Sequence, residues 1–205
     1  GLDTVQALVL TVHVFSQFPS THGSRFNMGR LWEASTKTGA LARAIAKAEQ
    51  APALVIDQAY TAGLLHDAGM LVLAANVPER YDAMIETAHD LGIPLWEVER
   101  QELGATHAVV GAYLLGLWGL ADPIVEAVAF HHHPSDCVGN TFTPLTAVHV
   151  ANVLQQELSQ QATGGVPSQI DFTYLDRLHM TERLTDWREL AGTVQRTAEK
   201  ERVHG

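Results

Sequence analysis

Apolar positions recur along this chain in blocks whose spacing follows helices rather than strands. From Met28 to Gln50, Leu31, Trp32, Leu41 and Ile45 share a face with small residues, among them Ser35, Gly39, Ala40, Ala42 and Ala44. That pattern predicts a long helix able to approach a neighbour closely. Ala51-Pro52 ends it, because proline has no N–H to continue the ladder. Residues 54–75 hold the next helix, with a short helix at 55–61 as a lead-in, and Gly63 to Leu73 reads as one buried helix, apolar on nearly every side. Val77-Pro78-Glu79 opens another helix through Asp90, with proline placed early as helix starts favour. Leu91-Gly92-Ile93-Pro94 closes it.

Helical spacing continues downstream. Residues 94–103 read as a solvated helix start carrying Glu97, Glu99, Arg100 and Glu102. After Gly104 a helix runs to Trp118 with Ala108, Gly111, Ala112 and Leu115 on its packing stripe. Leu120-Ala121-Asp122-Pro123 starts a helix over 123–132, a loop covers 134–143, and 143–161 is helical with Leu145, Val148, Ala151 and Leu154 inward. Thr163 to Gln169 reads as a linker, and a further helix spans about 181–203. At the front, 3–18 predicts a helix with a strand as the alternative, His13 is a core histidine, and 19–27 is a loop. There is no βαβ rhythm and no internal repeat, so the expected fold is all-α, a compact multi-helix bundle. Residues 1–162 form the expected core and 170–205 a helical appendage packing on it. The missing lead-in predicts a piece of a longer protein.

Composition narrows the function. A formal net charge of −10, with scattered lysines and arginines, offers no basic stripe for polymeric nucleic acid. No apolar run reaches the roughly 18–20 residues of a membrane span. Cys137 is the sole cysteine, which excludes an internal disulfide and predicts a cytoplasmic protein.

Candidate chemistry centres on His66-Asp67, set inside the most apolar stretch of the chain. A buried carboxylate is costly unless it is paired, hydrogen-bonded or bound to a metal. The bland reading is a pair bonded to itself or to backbone. His107 and the run His131-His132-His133 change that picture. His89-Asp90 is a second adjacent pair, but it falls in the last turn of an amphipathic helix and is expected to face water.

His-Asp, then a single His, then paired His resembles the ligand order of the HD superfamily of metal-dependent phosphohydrolases, most closely its signalling offshoot, the HDOD domain. The resemblance implies an HD-like bundle and a metal site on His66, Asp67, His107, His131 and His132, with Asp67 the residue a catalyst would depend on. One divalent ion, manganese, iron, zinc or nickel, suits such donors. It would polarise a phosphoryl oxygen and activate water. The pattern also departs from the family. Ala34 stands where an upstream histidine is expected, Asn152 where a late aspartate is expected, and Met70 where a lysine often follows His-Asp-x-Gly. The Gly-Tyr-Pro signature of cyclic-dinucleotide hydrolases is absent after His133-Pro134. Glu33, His149 and Asn152 are the candidate substitute ligands. The front portion of the family domain is missing as well.

Three functions follow as expectations. The first is a bacterial regulatory output module without efficient catalysis, working through other signalling proteins, attached domains or a homo-oligomer. The second is a metal-dependent phosphohydrolase of a nucleotide or cyclic dinucleotide. The third is a structural oligomerisation module.

Overall fold

A computed structural model describes residues 25–163 and 169–204. The expectations for 3–18, His13, the start of the loop at 19–27 and most of the linker at 163–169 lie outside the described residues. The fold is all-α, with ten α-helices, two 3-10 turns and no strand among the described residues. The helices are α1 (Met28–Ala48), α2 (Ala53–Leu65), α3 (Ala68–Asn76), α4 (Pro78–Leu91) and α5 (Leu95–Leu103). They continue as α6 (His107–Leu117), α7 (Asp122–Phe130), α8 (Pro144–Thr163), α9 (Phe172–Arg177) and α10 (Leu184–His204).

Local chemistry sets the helix boundaries. The Asn27 side chain caps α1 by accepting from Arg30 N at 2.9 Å. Pro78 sits in the first turn of α4, and Gly92, at φ 63°, ends it in the left-handed conformation. The Thr106 side chain accepts from Val109 N and starts α6 one residue before the histidine that the site uses.

Around a central core, α1 packs on α2 and α8, while α7 packs on α2, α6 and α8. Leu41, Ile45, Val148, Leu154, Leu175 and Trp187 are fully buried there. Each is worth roughly 1.5–3 kcal/mol or more of apolar transfer. The C-terminal helices are tied to the same core. Glu49, just past α1, accepts from Trp187 Nε1 at 2.9 Å and from Arg183 Nη2 at 2.8 Å.

The main correction concerns the stretch Gly63–Leu73. It is not one helix but two, broken at His66-Asp67 between α2 and α3. Asp67 adopts φ −102°, ψ 14°, which is not helical. Tertiary packing accounts for the break. α3 meets α6 so closely that a Cβ on Gly69 would lie 2.0 Å from the His107 carbonyl oxygen and 2.6 Å from Gly111 N. Redirecting the chain at Asp67 is what lets that backbone contact form. A second correction is α9, a short helix within the tail that apolar spacing alone did not predict.

Candidate metal centre

Four parts of the fold supply the site. The α2–α3 break carries His66 and Asp67, α6 begins with His107, the C-terminus of α7 carries His131 and His132, and α5 contributes Glu99. The Gly69–Gly111 contact between α3 and α6 brings Asp67 beside His107. Asp67 Oδ1 lies 3.2 Å from His107 Nε2 and 3.6 Å from His131 Nε2, while Oδ2 lies 3.2 Å from His66 Nε2. His132 Nε2 is 3.0 Å from His107 Nε2. One donor atom each from Asp67, His107, His131 and His132 falls within 4.8 Å of the others.

Backbone carbonyls orient two of these rings. His66 Nδ1 donates to Gly63 O and His131 Nδ1 donates to Val128 O, both at 2.8 Å. Each ring therefore turns Nε2 toward Asp67. His107 is oriented by a carboxylate instead. Glu99 Oε2 accepts from His107 Nδ1 and from its backbone N–H, both at 2.7 Å, and Tyr81 OH donates to Glu99 Oε1 at 2.9 Å. Metal-binding histidines characteristically carry such a partner on the second nitrogen.

Charge follows the geometry. Burial alone would raise the Asp67 carboxyl, but His66 beside it and the hydrogen bond from His107 hold it well below the usual carboxylate range. Burial works against a charged His107, yet Glu99 and Asp67 on either side raise it to about 10. Burial pushes His131 down to about 4, and it also drives His132 well below the ordinary imidazole value. Without a metal, His107 is thus a cation between two carboxylates, its Nε2–H shared by Asp67 and His132.

The donor set fits a divalent transition metal. His131 Nε2 is buried and has no hydrogen-bond partner. Because its Nδ1 carries the proton given to Val128 O, Nε2 presents a lone pair toward the negative Asp67 Oδ1. A buried and a half-buried acceptor facing each other at 3.6 Å favour a cation between them. Three imidazole nitrogens and one carboxylate oxygen suit zinc, iron, manganese or nickel without selecting one. His66 stands at the edge of this group, on the far oxygen of Asp67.

The other candidates lie elsewhere or are already engaged. Glu33 pairs with Lys37 at 2.8 Å along α1. Asn152 is buried, and its Oδ1 accepts from Gln156. His149 uses both ring nitrogens, donating to His131 O and accepting from Asp171 N. His89 and Asp90 are exposed and pair with each other on α4. Glu99 corrects the expectation of a solvated helix start, because it is wholly buried. A signal for it existed: Glu99 lies four residues after Leu95 and four before Leu103, on the helix's own apolar stripe.

An all-α bundle with a largely buried His–Asp cluster suited to a divalent ion is the class of protein that fold and site define. The family profile described as HDOD domain matches residues 1–134, and the chain belongs to that family. It is 32% identical over 133 residues to an uncharacterized protein of Treponema pallidum (strain Nichols), a stretch that is 65% of this chain but only 25% of that protein. Among solved structures, it resembles an HDOD domain protein of unknown function from Geobacter sulfurreducens, with TM-score 0.70 and 20% identity. That match covers 100% of this chain and 69% of the other. It also resembles a candidate signal transduction protein from Marinobacter aquaeolei VT8, with TM-score 0.73 and 22% identity, covering 96% of this chain and 43% of the other. At those identities the structures share the fold. No helix among the described residues is long and apolar enough to cross a membrane.

Proposed function

We propose that this chain is a bacterial signalling output module whose His–Asp cluster holds one divalent ion as a staple, without the apparatus of an efficient phosphohydrolase. The observation that carries the metal reading is His131 Nε2, buried and unpartnered, facing Asp67 Oδ1. Hydrogen bonding alone does not satisfy that pair, which speaks against a purely structural cluster. His107, His131, His132 and Asp67 would hold the ion, with His66 steadying the second oxygen of Asp67 and Glu99 steadying His107. When bound, the ion supplies Lewis-acid polarisation of a phosphoryl oxygen.

The same geometry argues against a second ion. Ala34 has no donor, Glu33 pairs with Lys37, Asn152 Oδ1 is engaged by Gln156, and both nitrogens of His149 are used. The output role is supported by HDOD membership and by the fold shared with the Marinobacter protein. Other signalling proteins, attached domains or a second copy of the chain are the proposed partners, and the cytoplasm the proposed compartment. Elemental analysis of tag-free protein, purified without added metal, tests the reading. About one transition-metal ion per chain is expected, and less than a tenth of an ion, even after reloading, would sink it.

A further inference from the structure

The family profile ends at residue 134, yet three residues beyond it hold the turn that carries the paired histidines. α7 stops at Phe130, so the carbonyls at its end need donors from elsewhere. His149, fully buried on α8, donates Nδ1 to His131 O at 2.8 Å, and its Nε2 accepts from Asp171 N at 3.0 Å. Asp171 caps α9 by accepting from Tyr174 N at 2.9 Å, and its other oxygen accepts from Ser135 N at 3.1 Å. Arg177, at the end of α9, donates to the carbonyls of Pro134, Ser135 and Cys137. The backbone from His131 to Cys137 is thus gripped at five points by side chains that come after it in the chain.

We propose that His149, Asp171 and Arg177 are positioning residues for the metal centre: they clamp the His131–Cys137 turn, so that seating of Asp171–Arg177 sets how tightly His131 and His132 hold the ion. The proposal rests on the metal reading above and gives that site a point of control. His149 fixes the backbone of His131, Val128 O fixes its ring, and only Nε2 is left to the ion. A protein or attached domain that draws α9 away would weaken the site without touching a ligand. Residues outside the ligand set typically change metal affinity about 10–100-fold when removed.

The test uses Co²⁺ added to the metal-free chain, with affinity read by chelator competition and geometry by the cobalt d–d bands. His149→Leu removes both hydrogen bonds, His149→Asn keeps an amide donor near the Nδ1 position, and Arg177→Gln loosens the turn from the other side. Arg188→Gln, which breaks a surface pair with Glu157, is the control. Expected are about 10–100-fold weaker binding and altered bands in His149→Leu and Arg177→Gln, partial recovery in His149→Asn, and no change in Arg188→Gln. If His149→Leu does not fold, Arg177→Gln carries the test. Unchanged affinity and bands in a folded Arg177→Gln would overturn the clamp. Failure of the unmodified chain to bind Co²⁺ would instead overturn the metal reading. The clamp would then be judged on the metal-free protein: movement of the His131 and His132 ring resonances in Arg177→Gln supports it, and unmoved resonances overturn it.

Discussion

Glu99 Oε2 lies 2.7 Å from both the backbone nitrogen and Nδ1 of His107, and Glu99 is wholly buried. One carboxylate therefore fixes the start of α6 and the direction of the ring that faces Asp67. A buried anion is retained only when its partners are good, and here His107 and Tyr81 supply three donors.

Glu99→Gln tests this relationship. The amide keeps one acceptor but loses the charge that raises His107 and the strong hydrogen bond to Nδ1. Metal affinity is expected to fall by about 10–100-fold, with the fold retained. Chelator competition measures the affinity and circular dichroism the fold. Unchanged affinity would remove Glu99 from any role at the site.

Gly69→Ala tests how the site is assembled. An added Cβ would meet the His107 carbonyl oxygen at 2.0 Å, far inside contact distance, and both partners are backbone. Side-chain rearrangement cannot relieve that clash, so α3 and α6 must separate. The expected loss is about 3 kcal/mol or more, a fall in Tm of roughly 6–12 °C. Metal affinity should drop as well, since Asp67 and His107 are carried by the two helices being forced apart. Thermal unfolding within a degree or two of the parent would refute the close approach.

How much of this was legible depends on the residue. His66 and Asp67 stood out because ionisable residues in an apolar stretch violate the burial rule unless something satisfies them, whereas His107, His131 and His132 were singled out by the resemblance to the HD ligand order. The helix break at Asp67 was hidden because Ala68, Met70 and Leu71 continue the apolar pattern across it. Only Gly69 hinted that two backbones meet there. Glu99 was hidden by its charged neighbours Glu97, Arg100 and Glu102, whose solvated chemistry dominates the local composition. His149 was visible as a candidate ligand, but its engagement by His131 O and Asp171 N depends on contacts across 18 and 22 residues. Periodicity does not encode contacts of that kind.

Acid sensitivity should appear at Asp171. Burial would raise its carboxyl, but the hydrogen bonds from Ser135 and Tyr174, with His149 nearby, hold it below its ordinary value. A carboxylate whose folded value is depressed contributes stability above its unfolded value of about 3.9, and loses it as pH falls through the folded value. Asp171→Asn should therefore be less stable than the parent near neutral pH, by less than about 1 kcal/mol given its partial exposure. The difference should shrink as pH falls below about 4. Denaturant unfolding at several pH values measures it. A gap that widens with acid would contradict the assignment.

The last prediction concerns activity. Efficient two-ion hydrolysis needs ligands on both sides of the reacting phosphate, with metals about 3.5–4 Å apart. Here the donors converge on one point, formed by Asp67, His107, His131 and His132. Position 34 offers a methyl group, and the Asn152 oxygen accepts from Gln156. Misplacing a reacting group by 1 Å can cost about 10²-fold in rate, and the two absent ligands of the proposed reading would be a larger defect. The unmodified chain is expected to show no appreciable turnover of cyclic dinucleotides, nucleoside mono- or triphosphates or simple phosphoesters, with manganese, iron, zinc or nickel supplied. Ala34→His combined with Asn152→Asp restores the two missing donors, and metal stoichiometry should rise from about one ion per chain toward two. Turnover by the unmodified chain that disappears in Asp67→Ala would show that the eroded site still works as an enzyme. Unchanged stoichiometry in a folded double variant would show that the lost ligands are not what limits the site to one ion.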